Sequence, residues 1–264
     1  MFDLDVEVGI IGGSGIYEAK IIEDVKEVKI YTPYGRPSDV ISVGHYQNMR
    51  IAFLPRHGRS HQIPPHKIPF RANIWALKRL GVKRIIAASA VGSLRDNYKP
   101  SEFVIVDQFI DRTKDRGDTF YDEGQVCHVS TADPLCPELR EIFVKSIRKM
   151  KIPVHEKGTY VCIQGPRFST RAESKLFRAW GVDVIGMTLL PEVTLAREVE
   201  ICYASIAMIT DYDVWAEQPV SAQEVARTMT KNLANFRQVI MDVIPKIPKE
   251  RKCQCKEALK DALV

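Results

Sequence analysis

Residues 8–18 read VGIIGGSGIYE, an apolar run that breaks into three glycines and a serine. A buried strand running into a glycine-rich turn is how many nucleotide-binding α/β folds begin, so what this turn can hold decides which architecture to expect. A dinucleotide fingerprint needs G-x-G-x-x-G, and in Gly13-Ser14-Gly15-Ile16-Tyr17-Glu18 a glutamate takes the third glycine's place. Backbone N–H groups of such a turn, with the Ser14 hydroxyl, suit one compact anion better than a pyrophosphate. The bland alternative is a tight turn built of glycine for steric reasons alone.

Outward from this strand, β-branched apolar runs recur as EVKIYTP, RIAFLPRHG, RIIAASAVGS, EFVIVDQFI, GTYVCIQGP, DVIGMTLLP and ICYASIAMITDYD. Each reads as one strand, several of them buried on both faces. Segments with helical spacing lie between them near 70–80, 137–150, 170–180, 191–199 and 221–243. Strand alternating with helix predicts an α/β fold: a single domain whose central mixed β-sheet is flanked by helices. The polar stretch 111–130 has no period and reads as a long excursion. Residues 1–250 are expected to form the main domain and 251–264 a C-terminal Cys-x-Cys tail.

At 264 residues with 45% hydrophobic composition, the chain can bury a full core. A net charge of +5 suits an anionic ligand, but Lys and Arg alternate with acids and form no polybasic block, which argues against nucleic acid as partner. No apolar run approaches the roughly 18 residues of a membrane span, and Asp3, Asp5 and Glu7 stand where a secretory leader needs positive charge, so a cytoplasmic protein is expected. The cysteines at 127, 136, 162, 202, 253 and 255 include no CxxC pair and no histidine at zinc-finger spacing, so no metal site is expected. One residue separates Cys253 from Cys255: either a strained mutual disulfide that serves as a redox handle, or two solvated thiols.

Two further strand ends carry chemistry. In Leu54-Pro55-Arg56-His57-Gly58-Arg59 a strand delivers adjacent cations, and arginine offers bidentate contacts to phosphate or carboxylate. Ala88-Ser89-Ala90-Val91-Gly92-Ser93 offers hydroxyls among small side chains. Ligands of α/β sheets sit at the carboxyl ends of strands, so these segments and the opening turn point to one anion site. The run Thr210-Asp211-Tyr212-Asp213 adds two carboxylates at i and i+2, on one face if the strand continues. Acids so close raise at least one pKa, which makes a proton donor for a leaving group with a ring nitrogen. Read alone, the same pair would also serve as helix-cap or turn acids.

Together these segments, with TPYGRPSD, PRHGRSHQIPPH, RANIWALKRLG, SAVGSLR, GPRFSTRAE, GMTLLPEVTLARE and ITDYDVW, resemble the trimeric purine nucleoside phosphorylases, and within them the branch that cleaves 5′-methylthioadenosine. The resemblance runs from about residue 8 to residue 215. It implies phosphorolysis with inorganic phosphate as co-substrate and no cofactor. Carried residue by residue, it assigns phosphate to Ser14, Arg56, His57, Ser89 and Thr188 with the backbone of Ala90. It sets ribose against Met187 and the base under Phe168, with Ser169, Asp211 and Asp213 at the polar edge and Asp211 as the catalytic acid. A 5′-methylthio group would lie by Val220, Ala222 and Val225, joined by His128 from a neighbouring subunit of a homotrimer, or of a hexamer made of two. The tail resembles those of archaeal thermophilic members, which implies Cys136 with Cys202 and Cys253 with Cys255 as disulfide candidates. A broad purine nucleoside phosphorylase or a 6-oxo (methylthioinosine) enzyme stays open as the neighbouring reading, separable by activity on inosine. A nucleotide-binding protein without catalysis is the alternative from another class.

Overall fold

The computed structural model describes residues 5–13, 22–216 and 220–264. Eleven strands make one mixed sheet: β1 (Val8–Gly12), β2 (Glu23–Val28), β3 (Ile41–Tyr46), β4 (Met49–Pro55), β5 (Arg84–Ser93), β6 (Phe103–Ile105), β7 (Gln108–Arg112), β8 (Val154–His155), β9 (Thr159–Ile163), β10 (Val184–Gly186) and β11 (Cys202–Asp211). The helices among the described residues are α1 (Phe70–Arg79), α2 (Pro137–Lys149), α3 (Arg171–Ala179), α4 (Glu192–Glu198) and α5 (Ala222–Val243). All five fall where the spacing placed them, and the α/β class with a mixed central sheet is the one observed.

Period two along the central strands sorts their side chains onto the two faces. Ile11 of β1, Ile85 and Ala87 of β5, and Tyr203, Ala207 and Ile209 of β11 pack toward α1 and α4. Val8 and Ile10, Ile86 and Ala88, and Cys202, Ala204, Ile206 and Met208 pack toward α2 and α5. β5 is the pivot: residues 84–87 lie between parallel β1 and β11, and beyond them the strand takes β10 as an antiparallel neighbour at Gly92 and Ser93. Parallel register brings Gly12 opposite Pro55, and Asp211 opposite Gly92, so the carboxyl ends of β1, β4, β5 and β11 open together.

Three strand expectations need correction. EFVIVDQFI is two strands, because the chain leaves the β11 edge after Ile105, and Asp107 then accepts the Gly158 N–H (2.9 Å) as β7 joins β9. EVKIYTP is strand only up to Val28, since Thr32–Gly35 closes a turn through the Thr32 hydroxyl (2.7 Å). The ladder between β11 and β5 shifts after Ile209 and β11 stops at Asp211, so continued alternation is not what brings Asp211 and Asp213 together.

The cysteines also differ from expectation. All six are free thiols, so neither Cys136–Cys202 nor Cys253–Cys255 is bonded. Nor are the tail cysteines solvated: Cys253 and Cys255 are buried against the face that carries α2 and α5.

Candidate active site

Arg56 leaves β4 one residue past its end, its N–H donating to Gly12 O across the β1 junction (2.8 Å). The residue is 2% exposed, and its side chain turns inward. Nε and NH2 donate to the two oxygens of Glu192, at the start of α4, at 2.8 Å each, and NH1 donates to Ala88 O at 2.9 Å. The Tyr203 hydroxyl donates to Glu192 Oε1 (2.7 Å) and closes the network. Burial works to lower the Arg56 pKa, but the Glu192 carboxylate more than reverses it, so the group is locked in the charged state. Three of its five N–H donors are used, leaving one on each terminal nitrogen for an anion. Glu192 and Tyr203 were missed from the sequence; the available signal was an acid inside the apolar run LLPEVTL, which has to find a buried partner.

His57 follows, with Nδ1 2.8 Å from Ile63 O. A carbonyl only accepts, so Nδ1 carries the proton and Nε2 is left bare. Burial pulls the imidazole down to about 4, with Arg56 and the stacked His61 adding and Ile63 opposing. Gly58, at φ +74, lets the chain turn back here; a Cβ would meet the Gln62 side chain at 2.3 Å. Ser89 and Thr188 are buried nearby, the Thr188 N–H donating to the Tyr160 oxygen at 3.4 Å.

At the end of β11, Asp211 and Asp213 are 6% and 4% exposed. Asp213 takes a left-handed turn (φ +50), and its N–H donates to Asp211 Oδ1 at 2.8 Å. Thr210 Oγ1 stands 2.7 Å from Asp211 Oδ2 and 3.2 Å from Val91 O, two acceptors for one hydroxyl proton. Burial, aided by the Asp213 charge and opposed by these hydrogen bonds, pushes Asp211 up to about 6. Asp213 is held separately: the Ser169 hydroxyl lies 2.7 and 2.8 Å from its two oxygens. Beneath both acids Gly92 has no side chain to spare room for, since a Cβ would stand 2.9 Å from Asp211 Oδ1 and 3.2 Å from Asp213 Cβ.

A cavity of about 950 Å³ joins these groups. It brings together Arg56, His57, Ser89, Ala90, Phe168, Ser169, Met187, Thr188, Asp211, Asp213, Ala222 and Val225, all expected from the sequence. Phe168 is 42% exposed at the rim, just before Thr170 and Glu173 close a capping box that starts α3. Val220 is not among the lining residues. Met208, on β11, and Met229 and Leu233 are, and they were not anticipated: Met229 and Leu233 share with Val225 an apolar face of α5 that reads as ordinary helix packing. Ser14 lies outside the described residues. His128 is exposed and away from this chain's cavity, on a segment whose N–H donates to Ala262 O in the tail (2.8 Å).

A cavity at the carboxyl ends of strands, with a buried charged arginine at one group of residues and an acid able to hold a proton at another, defines a glycosyl-transferring enzyme of the α/β class. Residues 7–245 match the phosphorylase superfamily model, and the chain belongs to that superfamily. Within it, relatives of this chain include S-methyl-5′-thioadenosine phosphorylases. The enzyme of that name from Thermofilum pendens is 60% identical over 98% of this chain and 99% of its own, and that from Pyrococcus furiosus 57% over the same shares. Among solved structures, a methylthioadenosine phosphorylase from an Antarctic soil metagenomic library superposes with TM-score 0.93 at 48% identity (98% of this chain, 92% of that one). The Schistosoma mansoni methylthioadenosine phosphorylase in complex with adenine gives 0.92 at 38% (97% and 96%).

Proposed function

We propose that this enzyme cleaves S-methyl-5′-thioadenosine by phosphorolysis: inorganic phosphate attacks the anomeric carbon, the N-glycosidic bond breaks, and adenine leaves with 5-methylthioribose 1-phosphate as the other product. The observation that carries the reading is the pairing, in one cavity, of the fixed Arg56 guanidinium with an Asp211 carboxyl pushed up to about 6. Glycosidic cleavage builds positive charge on the ribose while electrons flow into the purine, so it needs an anion beside the sugar and a proton for the base. The two free N–H groups of Arg56, the hydroxyls of Ser89 and Thr188 and the backbone of Ala90 orient phosphate as that anion and strip its water. Neutral His57 accepts from a phosphate hydroxyl through Nε2, and the Ser14 hydroxyl completes the set. Protonated Asp211 donates to purine N7, which makes it the catalytic acid. Atoms and electrons balance without a cofactor.

Asp213, fixed by Ser169, presents an acceptor toward the exocyclic amine and disfavours a 6-oxo oxygen, so adenine is preferred over hypoxanthine and adenosine is accepted as a second substrate. Met187 supports the ribose and Phe168 covers the base. The apolar wall of Ala222, Val225, Met229 and Leu233 suits a 5′-methylthio group and leaves a 5′-hydroxyl unpaired. His128 serves the cavity of a neighbouring subunit in a cytoplasmic homotrimer or a hexamer of two trimers. Among the described residues no helix is long and apolar enough to cross a membrane. The test is identification of the sugar product by mass: 5-methylthioribose 1-phosphate formed only with phosphate supports the reading, and free methylthioribose would make the enzyme a hydrolase.

A further inference from the structure

The ladder between β9 and β10 ends where Gly186 faces Cys162, and from there the two chains part. One runs on to Met187 and Thr188, on the side of the cavity given to ribose and phosphate. The other leaves β9 through Gln164 for Phe168 and Ser169, on the side given to the base. A ligand that joins sugar to base touches both chains, so the gap between them has to be held by something other than the sheet. Arg116, half-buried and drawn from the aperiodic stretch 111–130, reaches between them. Its NH1 donates to Met187 O (3.0 Å) and to Leu190 O on one chain. Its NH2 donates to Ile163 O (3.4 Å) and Gln164 O (2.9 Å) on the other, and its Nε to Gln164 Oε1 (3.1 Å). Resting on the phosphorolysis reading above for which side takes which part of the substrate, we propose that Arg116 is a positioning residue: it sets the distance between the ribose–phosphate side and the base side, and so the alignment of a bound nucleoside with the attacking phosphate.

A guanidinium is a planar fork with five N–H donors in fixed directions, and these five contacts use all of them. Every acceptor is a neutral amide oxygen. Arg56, by contrast, pairs with a carboxylate and keeps donors for an anion. Burial pulls the Arg116 pKa down, the direction expected of a cation ringed by amides instead of a counter-ion. The grip extends beyond the side chain. The Lys114 N–H donates to the same Gln164 oxygen (2.9 Å), and the guanidinium carbon lies 5.3 Å from the centre of the Phe70 ring on α1. Lysine would keep the charge but offers one compact point of attachment, which cannot grip both chains at once.

The experiment uses the full-length protein with Arg116→Lys and, separately, Gln164→Met; Gln164 is not among the residues lining the cavity. Calorimetry measures binding of adenine, phosphate and methylthioadenosine, each alone, and steady-state kinetics gives kcat and the KM of each substrate. Adenine and phosphate do not span the gap, so each should bind Arg116→Lys as it binds wild type. Methylthioadenosine spans it, so its affinity should fall about tenfold or more and its kcat/KM roughly 10²-fold, the usual cost of a misplacement of about 1 Å, with the phosphate KM little changed. Gln164→Met removes one acceptor of the five and should show a smaller loss of the same kind. Adenine or phosphate binding weakened as much as nucleoside binding would mean a collapsed cavity and would overturn the proposal. So would an unchanged kcat/KM in Arg116→Lys, or in Gln164→Met should the arginine variant not fold. A wild type that releases base without phosphate would refute phosphorolysis and leave the calorimetric comparison standing.

Discussion

Asp211→Asn should make the protein more stable and nearly inactive, and the two effects have one cause. Burial lifts the carboxyl from its ordinary 3.8 to about 6, which means that ionised Asp211 is disfavoured in the folded protein. The sign follows from linkage: a carboxyl raised on folding costs nothing below pH 3.8, costs progressively more between 3.8 and 6, and reaches its full cost above 6. A rise of this size corresponds to stability on the order of 3 kcal/mol. Asparagine avoids that cost and fits the hydrogen bonds already present. Its Oδ1 accepts the Asp213 N–H, and its Nδ2 donates to Thr210 Oγ1, whose own proton then goes to Val91 O. Chemical denaturation of both proteins at matched concentration, from pH 4 to pH 8, should show a difference that is absent at the acid end and levels off above about pH 6. Turnover should fall by roughly 10²–10⁴-fold, the usual worth of a general acid, and the limb of the kcat/KM profile near pH 6 should disappear. A folded variant no more stable than wild type at pH 8, or one that keeps full turnover, would refute the reasoning.

Other substitutions probe the rest of the cavity. Arg56→Ala should raise the phosphate KM at least 100-fold with little change in nucleoside affinity, and an unchanged phosphate KM would make Arg56 structural. Glu192→Gln leaves Arg56 buried without its counter-ion and should cost about 3–5 kcal/mol, measured by urea unfolding without phosphate; added phosphate should restore more stability to this variant than to wild type. Gly92→Ala forces Asp211 aside and should lower kcat without altering the phosphate KM, as steady-state kinetics with each substrate varied will read. Asp213→Asn should bring inosine cleavage within tenfold of adenosine cleavage, read by chromatography of the released base.

The repeating units of the fold were the legible part. Five helices and the strands β5 and β11 stand where periodicity puts them, and the clearest of them, β5, β11, α2 and α5, run for ten residues or more. What failed was short and nonlocal. β3 carries Ser42, Gly44 and His45 among its apolar residues, β8 is only two residues long, and the break between β6 and β7 depends on which neighbour each half pairs with. The site divides the same way. Arg56, His57 and the two aspartates lie at or just past strand ends, Ser89 lies within β5, and all announce themselves by type. Glu192 and Tyr203 reach the site through Arg56, and Met229 and Leu233 look like core. The closeness of Asp211 and Asp213 was anticipated for a reason the structure replaces: a left-handed turn at Asp213, not strand alternation, brings them together.

The central claim is best tested by release of free base from methylthioadenosine, adenosine and inosine, each with and without phosphate. The account predicts phosphate-dependent adenine release, fastest from methylthioadenosine, slower from adenosine and negligible base from inosine. Inosine cleaved as fast as adenosine would contradict the role given to Asp213, and base release that ignores phosphate would contradict the role given to Arg56.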